Sequence, residues 1–160
     1  MPPDLDSLLR QLEPPTALNL RLRLQFALAC VQRVAHLLED PDVIACLEAF
    51  EDLLQRQAPE AEFAALAARA DGLANRHQGS RSLDGVGHAA VSATYACAKA
   101  IAGRARQAAE YAAYAAVYGQ GGYGATSDPE SFVPEYQWQA SRLESLLAAG
   151  GPAPSARPLA

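Results

Sequence analysis

Leu5, Leu8, Leu9 and Leu12 recur at helical intervals ahead of Pro14-Pro15, so the chain is expected to open with a short amphipathic helix and a linker over residues 1–15. Thr16 then stands where a helix N-cap belongs. The next stretch, "LNLRLRLQF", alternates like a strand when read alone. A longer window decides for helix, because Leu20, Leu24, Ala27, Val31, Val34 and Leu38 keep helical spacing. One helix is expected over about residues 17 to 39. "EDPD" stops it, with Asp40 as the next N-cap and Pro41 at the first helical position, where a missing N–H costs nothing. Val43, Leu47, Phe50 and Leu54 form the apolar stripe of a second long helix, and Phe63, Leu66, Ala70 and Leu73 that of a third.

After the loop "QGSRSLDGVG", fourteen of the thirty-one residues from His88 to Tyr118 are alanine and none is proline. As one rod this stretch would run about 46 Å, and Gly103 near its middle points to a bend or break there. "GQGGYGATSDPESFVP" (Gly119 to Pro134) reads as a long irregular, mobile segment. A last helix follows, with Tyr136, Ala140, Leu143 and Leu147 on its stripe. Short turns between long helices imply antiparallel neighbours. The fold class is therefore an all-α antiparallel bundle of about five to six helices over residues 16–149, with a tail over 150–160 that is disordered by composition.

Composition sharpens this picture. Alanine accounts for thirty-five of 160 residues, which favours helix and supplies little buried area per residue. The net charge of −5 argues against nucleic acid as a partner and suits a basic protein. No apolar segment has the length of a membrane span, and the N-terminal residues do not read as a signal peptide. Cys30, Cys46 and Cys97 make an odd set without a CxxC pair, as expected of buried thiols in a reducing cytoplasm.

Candidate chemistry is sparse. Arg104, Gln107, Tyr111, Tyr114 and Tyr118 fall within a helical sector of about 80°, bordering one of small residues. Such tyrosines either fill a bundle seam or form an aromatic hot spot for a partner, with Tyr123 added from the glycine-rich loop. Asp42, Glu48, Glu51 and Asp52 belong to an acidic run without a basic residue before Arg56, either a solvated face or a dock for a basic protein. His36, His77 and His88 lack the HxxxH, ExxH or HExxH spacing that would set two metal ligands on one helical turn. Arg81 and His88 have the separation of an arginine–histidine nuclease pair, but across a glycine-rich loop rather than on one rigid face. "GQGGYG" follows a helix rather than a strand and so is no phosphate cradle. No catalytic residue, cofactor or metal is expected.

"RLRLQFALACVQRVAHLLED" and "EYQWQASRLESLL", through Arg23, Ala29-Cys30, Arg33-Val34, His36-Leu37-Leu38, Gln139, Leu143 and Leu146-Leu147, resemble a group of alanine-rich, all-helical bacterial proteins. One branch of that group is described as immunity proteins of polymorphic-toxin systems. The resemblance runs over roughly residues 18 to 148. It implies a helical bundle and a cytosolic inhibitor that binds one cognate toxin, and it brings no catalytic residues with it. A structural, self-assembling homo-oligomer is the alternative, with the alanine face or the tyrosine stripe as the seam between copies.

Overall fold

The computed structural model describes residues 1–79 and 82–150. These form an all-α fold of seven α-helices and two short 3₁₀ turns, with no strand among the described residues. The helices are α1 (Pro3–Arg10), α2 (Ala17–Arg33), α3 (Pro41–Gln55), α4 (Glu60–Asn75), α5 (His88–Ile101), α6 (Ala105–Thr126) and α7 (Val133–Gly150). Two more helices are thus present than the lower sequence expectation and one more than the upper. Of the tail expected over 150–160, Gly150 ends α7 and the rest lies outside the described residues. None of these helices is long and apolar enough to cross a membrane.

Local chemistry explains several boundaries. Thr16 caps α2 by accepting a hydrogen bond from the Asn19 amide at 3.1 Å. Asp40 caps α3 through the Asp42 amide at 2.9 Å, with Pro41 just inside the helix. The end of α3 is a Schellman closure: the Ala58 amide donates to the Leu53 carbonyl and the Gln57 amide to that of Leu54. Gln57 therefore sits at φ +51, in a position glycine usually fills.

The surroundings of α2 explain the misleading alternation. This helix packs on α5 and α6 along one side, on α7 along another and on α3 at its end. Leu22, Leu24 and Phe26 are consequently all buried, together with Ala27, Ala29, Cys30 and Val31. The apolar surface of α2 is wider than one stripe. The helix expected to reach residue 39 ends at Arg33, and a 3₁₀ turn over Ala35–Leu37 leads to the α3 cap. Phe50 of α3 meets Phe63 of α4 edge-on at 6.2 Å, closing the core on that side. Leu5 and Leu9 of α1, with Leu12 just after it, enter the same core, and α1 lies on α7.

His88 to Tyr118 is divided between α5 and α6, which pack along each other as the most extensive helix pair of the fold. Ala102 to Arg104 connect them, with Gly103 at φ +77. Alanines on both helices are buried: Ala93, Ala96, Ala98 and Ala100 from α5, and Ala105, Ala108, Ala109, Ala112, Ala113 and Ala115 from α6. The segment expected to be irregular from Gly119 is largely helical. Helix α6 continues to Thr126, interrupted at Gly122 (φ 62, ψ −146), and a 3₁₀ turn over Pro129–Phe132 leads into α7. Tertiary contact supplies the order that local composition lacks. The Tyr123 amide donates to the Asp84 carbonyl, and the loop before α5 is thereby joined to the kink.

A Cβ at Gly122 would run into the Asp84 carbonyl, and the backbone there is nearly glycine-only. Gly124, two residues on, is helical and has open space around its Cα. Chemical denaturation should show Gly122→Ala losing about 1–3 kcal/mol or more, while Gly124→Ala is neutral or gains up to about 1 kcal/mol. At the end of α3, Gln57→Gly should gain about 0.5–1 kcal/mol by relieving the left-handed residue, read by the same titration.

Candidate functional site

The tyrosines of α6 do not remain one stripe. Tyr111 turns toward α5 and stacks on Tyr95 at 5.3 Å, and the Tyr95 hydroxyl donates to Asn75 Oδ1 on α4. These two rings serve the seam. Tyr114 lies the other way, against Phe132 at 4.8 Å, and Phe132 lies 6.2 Å from Tyr136 of α7. Tyr114 also approaches Tyr118 at 6.1 Å, which meets His88 at 5.5 Å and Tyr123 at 6.2 Å. Six rings thus run in one unbroken series from Tyr136 to Tyr123. Tyr114 and Tyr123 are its most exposed members, at 42% and 46%.

Tyr123 corrects an expectation. It is not on a free loop: its ring packs on His88 at 5.4 Å, and its hydroxyl is hydrogen-bonded to His88 Nε2 at 2.6 Å. Gly85 passes so close that a Cβ there would come within 2.8 Å of the ring. In the same loop Asp84 accepts from the Val86 amide and Ser82 from the Gly87 amide. Holding an aromatic side chain between a kinked helix and a hydrogen-bonded loop lowers the conformational freedom left to it.

The other end of the series is set by α7. Arg33, at the end of α2, makes two hydrogen bonds to the buried Glu135 at 2.8 and 3.1 Å and lies 4.5 Å over the Trp138 ring. Glu135 raises the Arg33 pKa further, chiefly through these hydrogen bonds. One turn on, the Gln139 side chain donates to the Ala109 carbonyl at 2.8 Å, while its buried Oε1 has no partner among the described residues. These contacts place the start of α7, and with it Phe132 and Tyr136, beside Tyr114. A cavity of about 580 Å³ opens there, between these rings and Met1, Pro2 and Asp4.

The remaining predicted residues lie elsewhere. Arg104 and Gln107, both exposed, line a separate hollow with Arg23 and Arg106 at the start of α6. Ten residues of helix, about 15 Å, separate Arg104 from Tyr114. The acidic residues belong to α3, which packs on α4, α5 and α2, whereas the aromatic series belongs to α6, α7, the 3₁₀ turn before α7 and the first residue of α5. Asp42, Glu48 and Asp52 are exposed and Glu51 is half-buried. Arg56 pairs with Asp52 at 2.9 Å and Glu62 at 2.7 Å, and Glu51 accepts from Gln32 at 3.2 Å, so this acidity is partly internal. The tyrosines and the acids are two surfaces and not one.

Other chemistry does not assemble among the described residues. No group of three or more His, Cys, Asp or Glu side chains there could hold a metal ion, so His36, His77 and His88 do not converge. Arg81, the possible partner of His88, lies outside the described residues. Burial pushes the Cys30, Cys46 and Cys97 thiols up, Cys97 to about 12, which keeps them protonated and poor nucleophiles.

Sequence reasoning missed Phe132, His88 and Tyr136 as members of the aromatic series. Tyr136 was legible as a core position of the last helix. Nothing local indicated that a 3₁₀ turn would bring Phe132 between it and Tyr114. Burial, followed by the charge of Glu110 and by Tyr114, raises the Tyr136 pKa to about 12. The unfolded phenol titrates near 10. This contribution to stability is therefore fully present below about pH 10 and is lost as the pH rises through about 12. Tyrosinate absorbance should accordingly show a late-ionising phenol that is missing in Tyr136→Phe.

Comparison with protein-family models, with curated proteins and with solved structures finds no match to this chain.

Proposed function

We propose that the protein is a non-catalytic, protein-binding helical bundle that docks through the aromatic edge from Tyr136 to Tyr123. The observation that carries this reading is the edge itself: six contiguous rings, exposed at Tyr114 and Tyr123 and held at both ends by tertiary contacts. Ordered aromatic surface with hydrated hydroxyls is the material of binding hot spots. Tyr111 supports the edge from the seam. Arg104 and Gln107 extend the α6 surface, and the acidic face of α3, Asp42, Glu48, Glu51 and Asp52, steers a basic partner without touching the aromatic contact.

The resemblance to immunity proteins of polymorphic-toxin systems names the kind of partner. In this reading the bundle acts in the cytoplasm and neutralises one cognate toxin by covering its active surface, with no cofactor, nucleic acid or membrane involved. Self-assembly is the second reading. The alanines of α5 and α6 are buried within one chain, so in this reading the tyrosine edge, and not the alanine face, is the seam between copies.

Co-expression with the product of the neighbouring gene, followed by isolation of the complex, tests the assignment. Rescue from toxicity and a complex that Tyr114→Ala with Tyr123→Ala weakens by at least about a hundredfold are expected, with each variant retaining its helical content. Neutralising Asp42, Glu48 and Asp52 should instead slow association and reduce its salt dependence. No rescue and no complex would remove the immunity reading. Sedimentation showing a dimer that the tyrosine variants dissociate would favour self-assembly.

A further inference from the structure

The cavity of about 580 Å³ beside α1 is lined mainly by Tyr114, Phe132, Val133 and Tyr136, with Met1, Pro2 and Asp4 across from them. Phe132 lies 4.8 Å from Tyr114 and 6.2 Å from Tyr136, so three aromatic rings bound one hollow. Its volume is within the range of ligand-binding clefts.

Asp4 is the one charged side chain among the described lining residues, and Met1 adds the α-amino group of the chain. Asp4 is exposed, and among the described residues no cation pairs with it. The contrast with Asp6 is informative. Asp6 is paired with Arg10 at 2.8 Å and with Arg106, and Arg106 also donates to the Met1 sulfur. The neighbouring arginines are therefore already engaged, and Asp4 shares the cavity with the rings and with the α-amino group of Met1. Glu110 adds its negative charge from α6, where it acts on the Tyr136 hydroxyl.

We infer that this cavity receives a single cationic side chain, arginine or lysine, from a protein partner. The stem would lie along Phe132 and Val133, the charge over the ring faces of Tyr114 and Tyr136 and toward Asp4. Aromatic faces attract a cation through their quadrupole, and an unpaired carboxylate adds direct attraction and selects against anions. An apolar side chain would satisfy the rings and leave Asp4 unused. This inference rests on the protein-docking reading and gives that partner its chemistry: a basic residue presented at the contact.

The probe is acetyl-Gly-Arg-Gly-amide, titrated into the full chain while the aromatic ring signals are followed by nuclear magnetic resonance. Its citrulline counterpart has nearly the same shape and no charge. Saturable shifts at Tyr114, Phe132 and Tyr136 are expected. Binding should be at least about fivefold weaker for citrulline, for Asp4→Asn and for Phe132→Leu, the last keeping apolar bulk while removing the ring. Equal binding of the arginine and citrulline peptides, shifts that never saturate, or saturation centred on other residues would overturn it. The two readings fail separately. A partner complex that still depends on Tyr123, combined with no peptide binding at the cavity, would sink the cationic pocket and leave the docking edge standing.

Discussion

The fold depends on how little space alanine occupies. Buried alanines along α5 and α6 let two helix backbones lie close together, and this pair is the most extensive contact in the protein. Close approach maximises dispersion contacts between backbones but buries only a methyl group per residue. The larger side chains must therefore come from elsewhere. Phe26, Phe50, Leu5, Leu12, Ile101 and Leu143 provide that bulk, largely from α1, α2, α3 and α7 wrapped around the thin pair. The alanine contact leaves no room for rings, so the tyrosines of α5 and α6 flank it, Tyr95 and Tyr111 on one side and Tyr114 and Tyr118 on the other. The binding edge proposed above is a consequence of that exclusion.

Two tertiary fastenings then turn an edge into a surface. At one end, the Arg33–Glu135 pair with Trp138, and the Gln139 bond to α6, set the position of α7. A partly buried charge pair adds little net stability, yet its fork geometry allows one register of α7 on α2. At the other end, the Gly122 kink and the bond from Tyr123 to Asp84 hold the loop against α6. Gly122 meets a requirement that only the absence of a Cβ can meet, because the Asp84 carbonyl occupies that space. Neither fastening joins residues close in sequence.

Much of the helical layout was legible because its causes are local. Thr16 and Asp40 announce their helices through caps that bond two or three residues ahead. The stripes of α3 and α4 follow from spacing alone. The glycine-rich run after Tyr118 shows the limit of such reasoning. Its composition argues for a loop, yet contacts with Asp84 and His88 hold most of it in helix. Likewise the tyrosines share a sector of α6, but Tyr95 draws Tyr111 to one side and Phe132 receives Tyr114 on the other.

Sequence by itself determined that the chain is helical, where most helices begin, and that it carries aromatic and acidic residues in runs. Those properties depend on propensity, capping and periodicity, which act within a few residues. Only the tertiary structure decided that the acids of α3 and the rings of α6 belong to different surfaces, and that Asp4 faces a cavity built by residues more than a hundred positions away. Such neighbours are chosen by packing among whole helices, because burying apolar area and satisfying buried polar groups are properties of the assembled bundle and not of any one segment.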